Sequence, residues 1–183
     1  LIFKDQNGDG VINDDDRTYL GGQYPSFEYA ITGNASWENF DLSFMFQGVE
    51  GRKIYVADWG TVPFIQGSPP TTDWRNRWTP ENPSTTMPRI YWGFDAPAKV
   101  RRTSSYYLQD ASYLRLKNIT LGYTFPANLV ERIGLRKLRL FFSGDNLFTL
   151  TDYPGLDPER GGNGVFVGYP QNKIYSFGLN VQF

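Results

Sequence analysis

Residues 175–183 read YSFGLNVQF, and this short stretch decides the fold. Large apolar side chains alternate there with small or polar ones; the apolar set is Tyr175, Phe177, Leu179, Val181 and Phe183. Successive side chains of a β-strand point to opposite faces, whereas those of a helix repeat about every 3.6 residues. The period of two therefore predicts a strand with one apolar face.

The same alternation marks four earlier segments. They cover residues 26–37, 40–47, 113–125 and 138–145, and each has one face free of charged side chains. The third of them changes phase halfway, which predicts a β-bulge at Lys117 and Asn118. The opposite face of the strands is polar, and we expect it to carry Glu28, Asp41, Arg115 and Arg139.

The connections between these segments differ in length. Only Glu38 and Asn39 separate the first two strands, which predicts a tight hairpin, and residues 126–137 have room for one helical turn ended by Gly134. Residues 49–109 and 146–172 are long loops, and both fall at the same end of the predicted sheet. Brief turns at one end and long external loops at the other are typical of an outer-membrane β-barrel.

Aromatic residues stand at the ends of the strands. Phe27 and Tyr29 begin the first strand and Trp37 ends it, with smaller residues between. Two bilayer interfaces select this order, although a soluble β-sandwich stays an alternative because its strands also have one apolar face. Five strands are too few to close a barrel, since the smallest bacterial barrels have eight. The final strand is therefore expected to pair with a strand outside this chain.

These features predict an all-β fold of antiparallel, up-and-down strands that form the last five strands of a large transmembrane barrel. Residues 1–23 are expected to be an extracellular loop, and residues 24–183 the barrel strands with their long loops. The chain begins at Leu1 without an initiator Met or a signal peptide, which predicts that an N-terminal part lies outside this sequence.

Composition excludes several classes of function. The 18 Lys and Arg residues are balanced by 19 Asp and Glu, so no basic excess indicates a nucleic-acid partner. Cysteine and histidine are absent, which removes disulfides, Cys/His zinc sites, thiol nucleophiles and the usual general base. A hydrolase would depend on a carboxylate pair, and no spacing singles one out. We expect no enzymatic activity.

Residues 5–16, DQNGDGVINDDD, have the spacing of a twelve-residue calcium loop. Its glycine at the sixth position permits the sharp turn, but Asp16 stands where an EF-hand has Glu. No helical pattern flanks the segment, so it is not predicted to be a helix-loop-helix sensor. The alternative is an Asp/Asn/Gly-rich turn without an ion. The candidate Ca²⁺ ligands are Asp5, Asn7, Asp9, Val11 through its carbonyl, Asn13 and Asp16.

The first long loop is rich in aromatic residues and stiffened by prolines. Flat aromatic rings stack on sugars and anchor protein contacts, but they also form the internal core that a long ordered loop needs. Both roles stay open from the sequence. The candidates for contact with a substrate or a partner are Tyr55, Trp59, Trp74, Tyr91 and Trp92.

Four stretches resemble the C-terminal end of SusC/RagA-type TonB-dependent outer-membrane transporters. They are RWTPENPSTTMPR at 77–89, SYLRLKNITLGYTFP at 112–126, SGDNLFTLTDYPGLDPE at 143–159 and the terminal YSFGLNVQF. The resemblance implies a 22-stranded barrel, whose N-terminal plug and TonB box lie outside this chain. It also implies a SusD-type surface lipoprotein as a lid and import of oligosaccharides or peptides with energy from the TonB complex.

The resemblance gives the terminal residue a second role. In such families the last aromatic residue is recognised by the barrel-assembly machinery, and the matching position here is Phe183. A plain interface aromatic is the alternative, and the two roles are compatible. For the whole chain the alternative from another class is a secreted, calcium-stabilised β-sandwich that binds glycans.

Overall fold

Five strands build one antiparallel sheet in a computed structural model that describes residues 1–57, 61–91, 103–160 and 169–183. In chain order the strands of the described part are β1 Phe27–Trp37, β2 Phe40–Glu50, β3 Lys53–Tyr55, β4 Leu108–Asp110, β5 Tyr113–Thr124, β6 Lys137–Thr151 and β7 Ile174–Gln182. The large sheet has the order β1-β2-β5-β6-β7, and β3 pairs only with β4. The predicted antiparallel, up-and-down sheet is confirmed.

The short connections form as predicted. Glu38 takes a φ of 52° in the two-residue turn between β1 and β2, in the left-handed region that suits the twist of a hairpin. A one-turn helix, α1 (Ala127–Val130), follows β5 and continues as the 3-10 turn Glu131–Ile133. Gly134, with a φ of 79°, ends this turn. A side chain at that φ would be strained, so glycine terminates the helix there.

The predicted β-bulge in β5 is confirmed. Asn118 pairs with Met45 of β2, and Leu116 pairs with the next residue, Phe46, so Lys117 is the extra residue. This insertion restores the alternation on both sides of the bulge. Leu114 and Leu116 therefore lie on the same face of the sheet as Ile119, Leu121 and Tyr123.

The second long loop starts later than predicted. The alternation ends at Asp145, which placed the loop at 146–172, but β6 continues to Thr151. Asn146 has a φ of 53°, a conformation typical of turns, and here it belongs to an irregularity within the strand. Phe148 and Leu150 then return to the apolar face, opposite Leu116 and Leu114.

The chain divides into two units. The sheet unit comprises Pro25–Gly51, Ser112–Asp152 and Pro170–Phe183, and the loop unit comprises Leu1–Tyr24, Arg52–Ala111 and Tyr153–Tyr169. The predicted first segment, 1–23, thus folds together with parts of both long loops. Among the described residues, no helix combines the length and the apolar character needed to cross a membrane.

A hydrophobic core of its own holds the loop unit together. β3 and β4 supply its framework, and the Lys53 N–H donates to the carbonyl of Gly22 at 2.8 Å, which ties the first segment to it. In the described part this unit also has the 3-10 turns Asp14–Asp16, Ile65–Gly67, Thr72–Asn76 and Ser105–Tyr107. The buried residues of the core are Ile54, Val56, Ala57, Val62, Ile65, Trp74, Tyr107, Ala111 and Tyr153.

Candidate functional site

The register of the sheet unit gathers the apolar residues of all five strands on one face. In one row across the sheet, Ala35 pairs with Leu42, Leu42 with Leu121, Leu121 with Phe142, and Phe142 with Phe177. Among the paired strand residues that the structure describes, the one charged side chain on this face is Glu50, at its edge. We call this surface the apolar face.

Large side chains of the apolar face are exposed. Trp37 keeps 72% of its surface and Phe177 keeps 75%, and Phe27, Leu121 and Phe142 are exposed as well. A β-sandwich buries this side of each sheet beneath a second sheet, because apolar area removed from water stabilises by about 25 cal/mol per Å². An exposed apolar surface that spans five strands is typical of a membrane or protein contact surface.

Aromatic residues of the apolar face stand at both ends of the strands, and further phenylalanines lie between them. Phe27 stacks on Tyr29 at a centroid distance of 5.6 Å at one end of the strands. Phe40 contacts Tyr123 at 4.8 Å near the other end, where Trp37 also lies. The ten steps from Phe27 to Trp37 extend about 33 Å along the strand. At a tilt of about 40° this rises about 25 Å, which is the height of a membrane barrel's apolar band.

The opposite, polar face carries an ion pair that spans three strands. Arg139 of β6 donates from Nε to Asp41 Oδ1 at 2.9 Å and from Nη2 to Asp41 Oδ2 at 2.5 Å. Asp41 belongs to β2, and its partner in the intervening strand is Gly122. A Cβ at Gly122 would collide with both charged groups. The glycine therefore opens the path for this two-pronged contact.

Further polar contacts cover the same face. Arg115 is buried, its Nε donates to Thr149 Oγ1 at 2.9 Å, and its guanidinium lies 5.3 Å from the Tyr113 ring centroid. Asn118 Nδ2 donates to Asp145 Oδ1 at 2.7 Å. The register also puts Glu28, Asp41, Arg115 and Arg139 on this one face, as predicted.

In the predicted calcium loop, backbone N–H groups donate hydrogen bonds to the carboxylates of Asp5 and Asp9. Asp5 Oδ1 accepts from the N–H of Gly8 at 2.6 Å, and its Oδ2 accepts from Gly10 at 2.8 Å. Asp9 Oδ1 accepts from the N–H of Val11 at 2.8 Å. Both glycines have a φ of 79°, so they supply the left-handed turns that wrap the chain around Asp5.

Asp16 closes this loop. Its Oδ1 accepts from the N–H of Gln6 at 2.7 Å, and its Oδ2 accepts from the N–H of Asn13 at 2.9 Å. The hydrogen bond from Asn13, followed by that from Gln6, lowers the pKa of the Asp16 carboxyl below its ordinary value. The ends of the loop are thus joined through one ionised side chain.

The donor types of this loop suit Ca²⁺, which takes six to eight oxygen ligands. Asp5, Asn7, Asp9, Asn13 and Asp16 each offer side-chain oxygens, and Val11 offers its carbonyl. Over the described ranges, however, no group of three or more carboxylate, imidazole or thiolate side chains is placed to hold a metal ion. Calcium binding therefore stays a prediction.

Curated relatives cover the whole chain, while no family model matches it. TonB-dependent receptor P3 of Formosa agariphila is 35% identical over an alignment of 196 positions, which covers 100% of this chain and 19% of that receptor. TonB-dependent receptor SusC of Bacteroides thetaiotaomicron is 26% identical over 100% of this chain. A structure of the RagAB peptide transporter superposes with a TM-score of 0.75 and 27% identity, over 94% of this chain and 19% of that one.

The chain belongs with the SusC/RagA-type TonB-dependent receptors. It spans about a fifth of the length of these relatives, which is consistent with a C-terminal part of such a receptor. SusC/RagA-type receptors are outer-membrane β-barrel proteins, so the predicted outer-membrane location is confirmed. In a barrel of this kind, the exposed apolar face is the surface expected to contact lipid.

The aromatic residues predicted to contact a substrate differ in their surroundings. Trp74 is only 4% exposed and belongs to the core of the loop unit, so its role is structural, as the alternative expected. Tyr55 and Tyr91 are each 37% exposed and keep a surface for contact. Trp59 and Trp92 lie outside the described residues.

The terminal aromatic of the receptor segment lies at the end of the apolar face. Phe183 follows β7 directly, keeps the alternation of Phe177 and Leu179, and is exposed. That position fits an interface aromatic. Its recognition by the assembly machinery stays a prediction.

Two tyrosines of the loop unit were not among the sequence candidates. Tyr153 is buried in the loop core, and burial raises the pKa of its hydroxyl while the nearby Arg52 partly offsets that change. Tyr106 packs against the same core, and its hydroxyl lies 3.2 Å from Met87 Sδ. The contacts of Tyr153 with Arg52 and of Tyr106 with Met87 join residues that are far apart in the chain, so no local sequence pattern predicts them.

Proposed function

We propose that the chain is the C-terminal barrel segment of a TonB-dependent importer that takes up oligosaccharides or peptides. The observation that carries this proposal is the exposed apolar face that five strands share, with aromatic residues at both of its ends. Relatives along the whole chain are receptors of this type, and one solved relative is described as a peptide transporter.

Closure of the barrel requires strands from the rest of the receptor. The sheet ends in β1 and β7, and an open edge within lipid would leave backbone N–H and C=O groups unpaired, each at a cost of several kcal/mol. A 22-stranded barrel satisfies these groups by placing β7 against the first barrel strand and β1 against the preceding one. The polar face would then line the lumen around the plug.

The loop unit is the proposed contact region for a SusD-like surface lipoprotein. It comprises the connections at the long-loop end of the strands, which is the extracellular end in this type of barrel. Tyr55 and Tyr91 offer exposed aromatic surface there. Contact with the TonB complex is assigned to the N-terminal part of the receptor, outside this chain.

Uptake by whole cells tests the proposed function. A strain that lacks the receptor gene should lose growth on one class of oligosaccharide or peptide as sole nutrient, and the intact gene should restore it. A complementing gene without a functional TonB box serves as the matched control and should restore the protein level but not growth. Normal growth of the deletion strain on every tested glycan and peptide would contradict the proposal.

We also propose that residues 5–16 bind Ca²⁺ and rigidify this loop. The twelve-residue spacing supports the assignment, as do the backbone N–H bonds that orient Asp5, Asp9 and Asp16. Calorimetric titration of the full receptor with CaCl₂ should show one site that Asp9→Ala weakens at least tenfold. Asp15→Ala, an exposed carboxylate in the same loop, is the matched control. Equal heats for the receptor and both variants would contradict calcium binding.

A further inference from the structure

The connection between β5 and β6 exposes two aliphatic and two cationic side chains together. Leu129 is 50% exposed and Ile133 is 68% exposed, although both belong to an ordered helical turn. Arg132 and Arg136 are exposed beside them, and neither guanidinium has an ion-pair partner among the described residues. Val130 is buried and anchors the turn.

The helical spacing places the exposed aliphatic residues and an arginine on one side of the turn and the acidic residue on the other. Leu129, Arg132 and Ile133 are three and four residues apart, so they share one side of the turn. Glu131 is the one acidic residue between 127 and 136, and at about 100° per residue it lies roughly 200° from Leu129, on the other side. The side with the aliphatic residues is therefore cationic.

The end of this segment joins the apolar face. The N–H of Arg136 donates to the carbonyl of Gln182 at 2.8 Å, which continues the pairing of β6 with β7 by one residue. Continued alternation puts Arg136 on the side of Leu138 and Leu140, next to Phe183. An arginine thus stands at the rim where the lipid-contacting surface ends.

Such an arrangement fits a membrane interface better than water. Aliphatic side chains insert at the boundary of headgroups and acyl chains, while arginine keeps its guanidinium at the level of the phosphates. Guanidinium groups form two-pronged, charge-assisted hydrogen bonds with phosphate. Each cation near an anionic surface strengthens binding by a factor of about five.

We propose that residues 127–136 bind the headgroups of anionic phospholipids at the periplasmic interface of the outer membrane. The inference uses the outer-membrane location and the proposed orientation, in which the short connections face the periplasm. Anionic phospholipid is chosen as the occupant because the cationic side is continuous with the lipid-contacting face. The alternative occupant, another part of the receptor, is an outcome of the test.

The test uses the full-length receptor in nanodiscs of phosphatidylcholine alone or with phosphatidylglycerol. Native mass spectrometry counts the retained lipids, and hydrogen exchange reports the protection of residues 127–136. The double variant Arg132→Gln/Arg136→Gln removes the two guanidinium groups. The matched control is Arg75→Gln/Arg160→Gln, which removes two exposed arginines from the loop unit. Slower gel migration after boiling confirms that each variant is a folded barrel.

The wild type and the control should retain phosphatidylglycerol in preference to phosphatidylcholine, and the double variant should lose this preference by a factor of about 5 to 25. Phosphatidylglycerol should also slow hydrogen exchange of residues 127–136 in the wild type but not in the double variant. If the double variant does not fold, the single change Arg132→Gln gives the same readout with about a fivefold loss.

Equal lipid preference for the wild type and the double variant would overturn the inference, as would equal losses in the double variant and the control. Protection of 127–136 that is already complete without phosphatidylglycerol would show that protein covers the segment, and would also overturn it. A receptor that does not enter phosphatidylcholine nanodiscs would instead contradict the membrane role itself, so the two failures are distinguishable.

Discussion

Arg139 and Asp41 meet through two hydrogen bonds across a strand that contributes no side chain to the contact. The intervening residue is Gly122, and the guanidinium also lies 5.2 Å from the Phe141 ring centroid. Both charged side chains are partly exposed, so solvent screens the attraction. The pair therefore fixes how β2, β5 and β6 lie relative to one another more than it adds to stability.

A double-mutant cycle should measure this coupling. Asp41→Asn and Arg139→Gln are each expected to destabilise the folded receptor, and the double variant should lose about 1 kcal/mol less than the sum of the single changes. Thermal unfolding in detergent, followed by gel migration, gives the free energies. Strict additivity would show that the two groups do not interact in solution.

A side chain at Gly122 should cost more than loss of the ion pair. Gly122→Leu places atoms where the guanidinium and the carboxylate meet, and we expect destabilisation by about 1–3 kcal/mol. Thermal unfolding again gives the magnitude. The control is Gly67→Ala, where an added Cβ meets nothing within 4 Å although the φ of 79° adds local strain. A smaller effect at Gly122 than at Gly67 would contradict the close approach.

Charge on the apolar face should block insertion, whereas charge on the polar face should not. Ile31 is exposed near the centre of β1, and Ile31→Arg is expected to cost about 2–4 kcal/mol because it faces lipid. Thr32→Arg puts the same charge one residue further on, facing the lumen. The amount of folded receptor in isolated outer membranes measures the difference. Equal amounts would mean that lipid does not cover this face.

Replacement by alanine should have different effects at a buried and at a partly exposed aromatic residue of the loop unit. Trp74→Ala removes a buried indole and should destabilise the loop unit by about 3–5 kcal/mol. Tyr55→Ala removes a partly exposed ring and should mainly weaken binding of the partner or substrate. Limited proteolysis of the receptor reports loop order, and co-purification of the lipoprotein reports binding. Rapid cleavage in both variants would contradict this division.

Acid should open the loop that Asp16 closes. The pKa of Asp16 is lowered in the folded loop, so its stabilising effect is complete above its ordinary value of 3.8 and is lost as the pH falls through the lower folded value. Protection of the Gln6 and Asn13 amides, measured relative to their intrinsic exchange rates, should therefore fall on acidification through that range. Asp16→Asn should remove this pH dependence of the protection. Unchanged protection in the unmodified receptor down to strongly acidic pH would refute the link.

The sequence predicts most of the sheet unit because each strand in it has one apolar and one polar face. Alternation along β1, β2, β5 and β7 follows directly from that division, and even the bulge at Lys117 is visible as a change of phase. The end of β6 is not visible, because Asn146 has a conformation typical of turns while the strand continues beyond it. Alternation alone cannot distinguish a turn from an irregularity inside a strand.

The loop unit is much less predictable. β3 and β4 are three residues long and lie more than 50 residues apart, so neither has a period that a pattern can reveal. Its core joins Trp74, Tyr107 and Tyr153 from distant segments. Aromatic content indicates that a core or a contact surface exists, but only the fold decides which ring is buried and which is exposed.

The register shifts in β2, β5 and β6 affect the dimensions of the barrel that these strands help to form. Where β2 advances by one residue, from Met45 to Phe46, β5 advances by two and β6 by three. Each added residue shifts one strand along its neighbour. In a closed barrel the sum of these shifts, together with the number of strands, sets the tilt of the strands and the diameter of the barrel. Three neighbouring strands thus encode part of the shape of a barrel whose other strands come from the rest of the receptor.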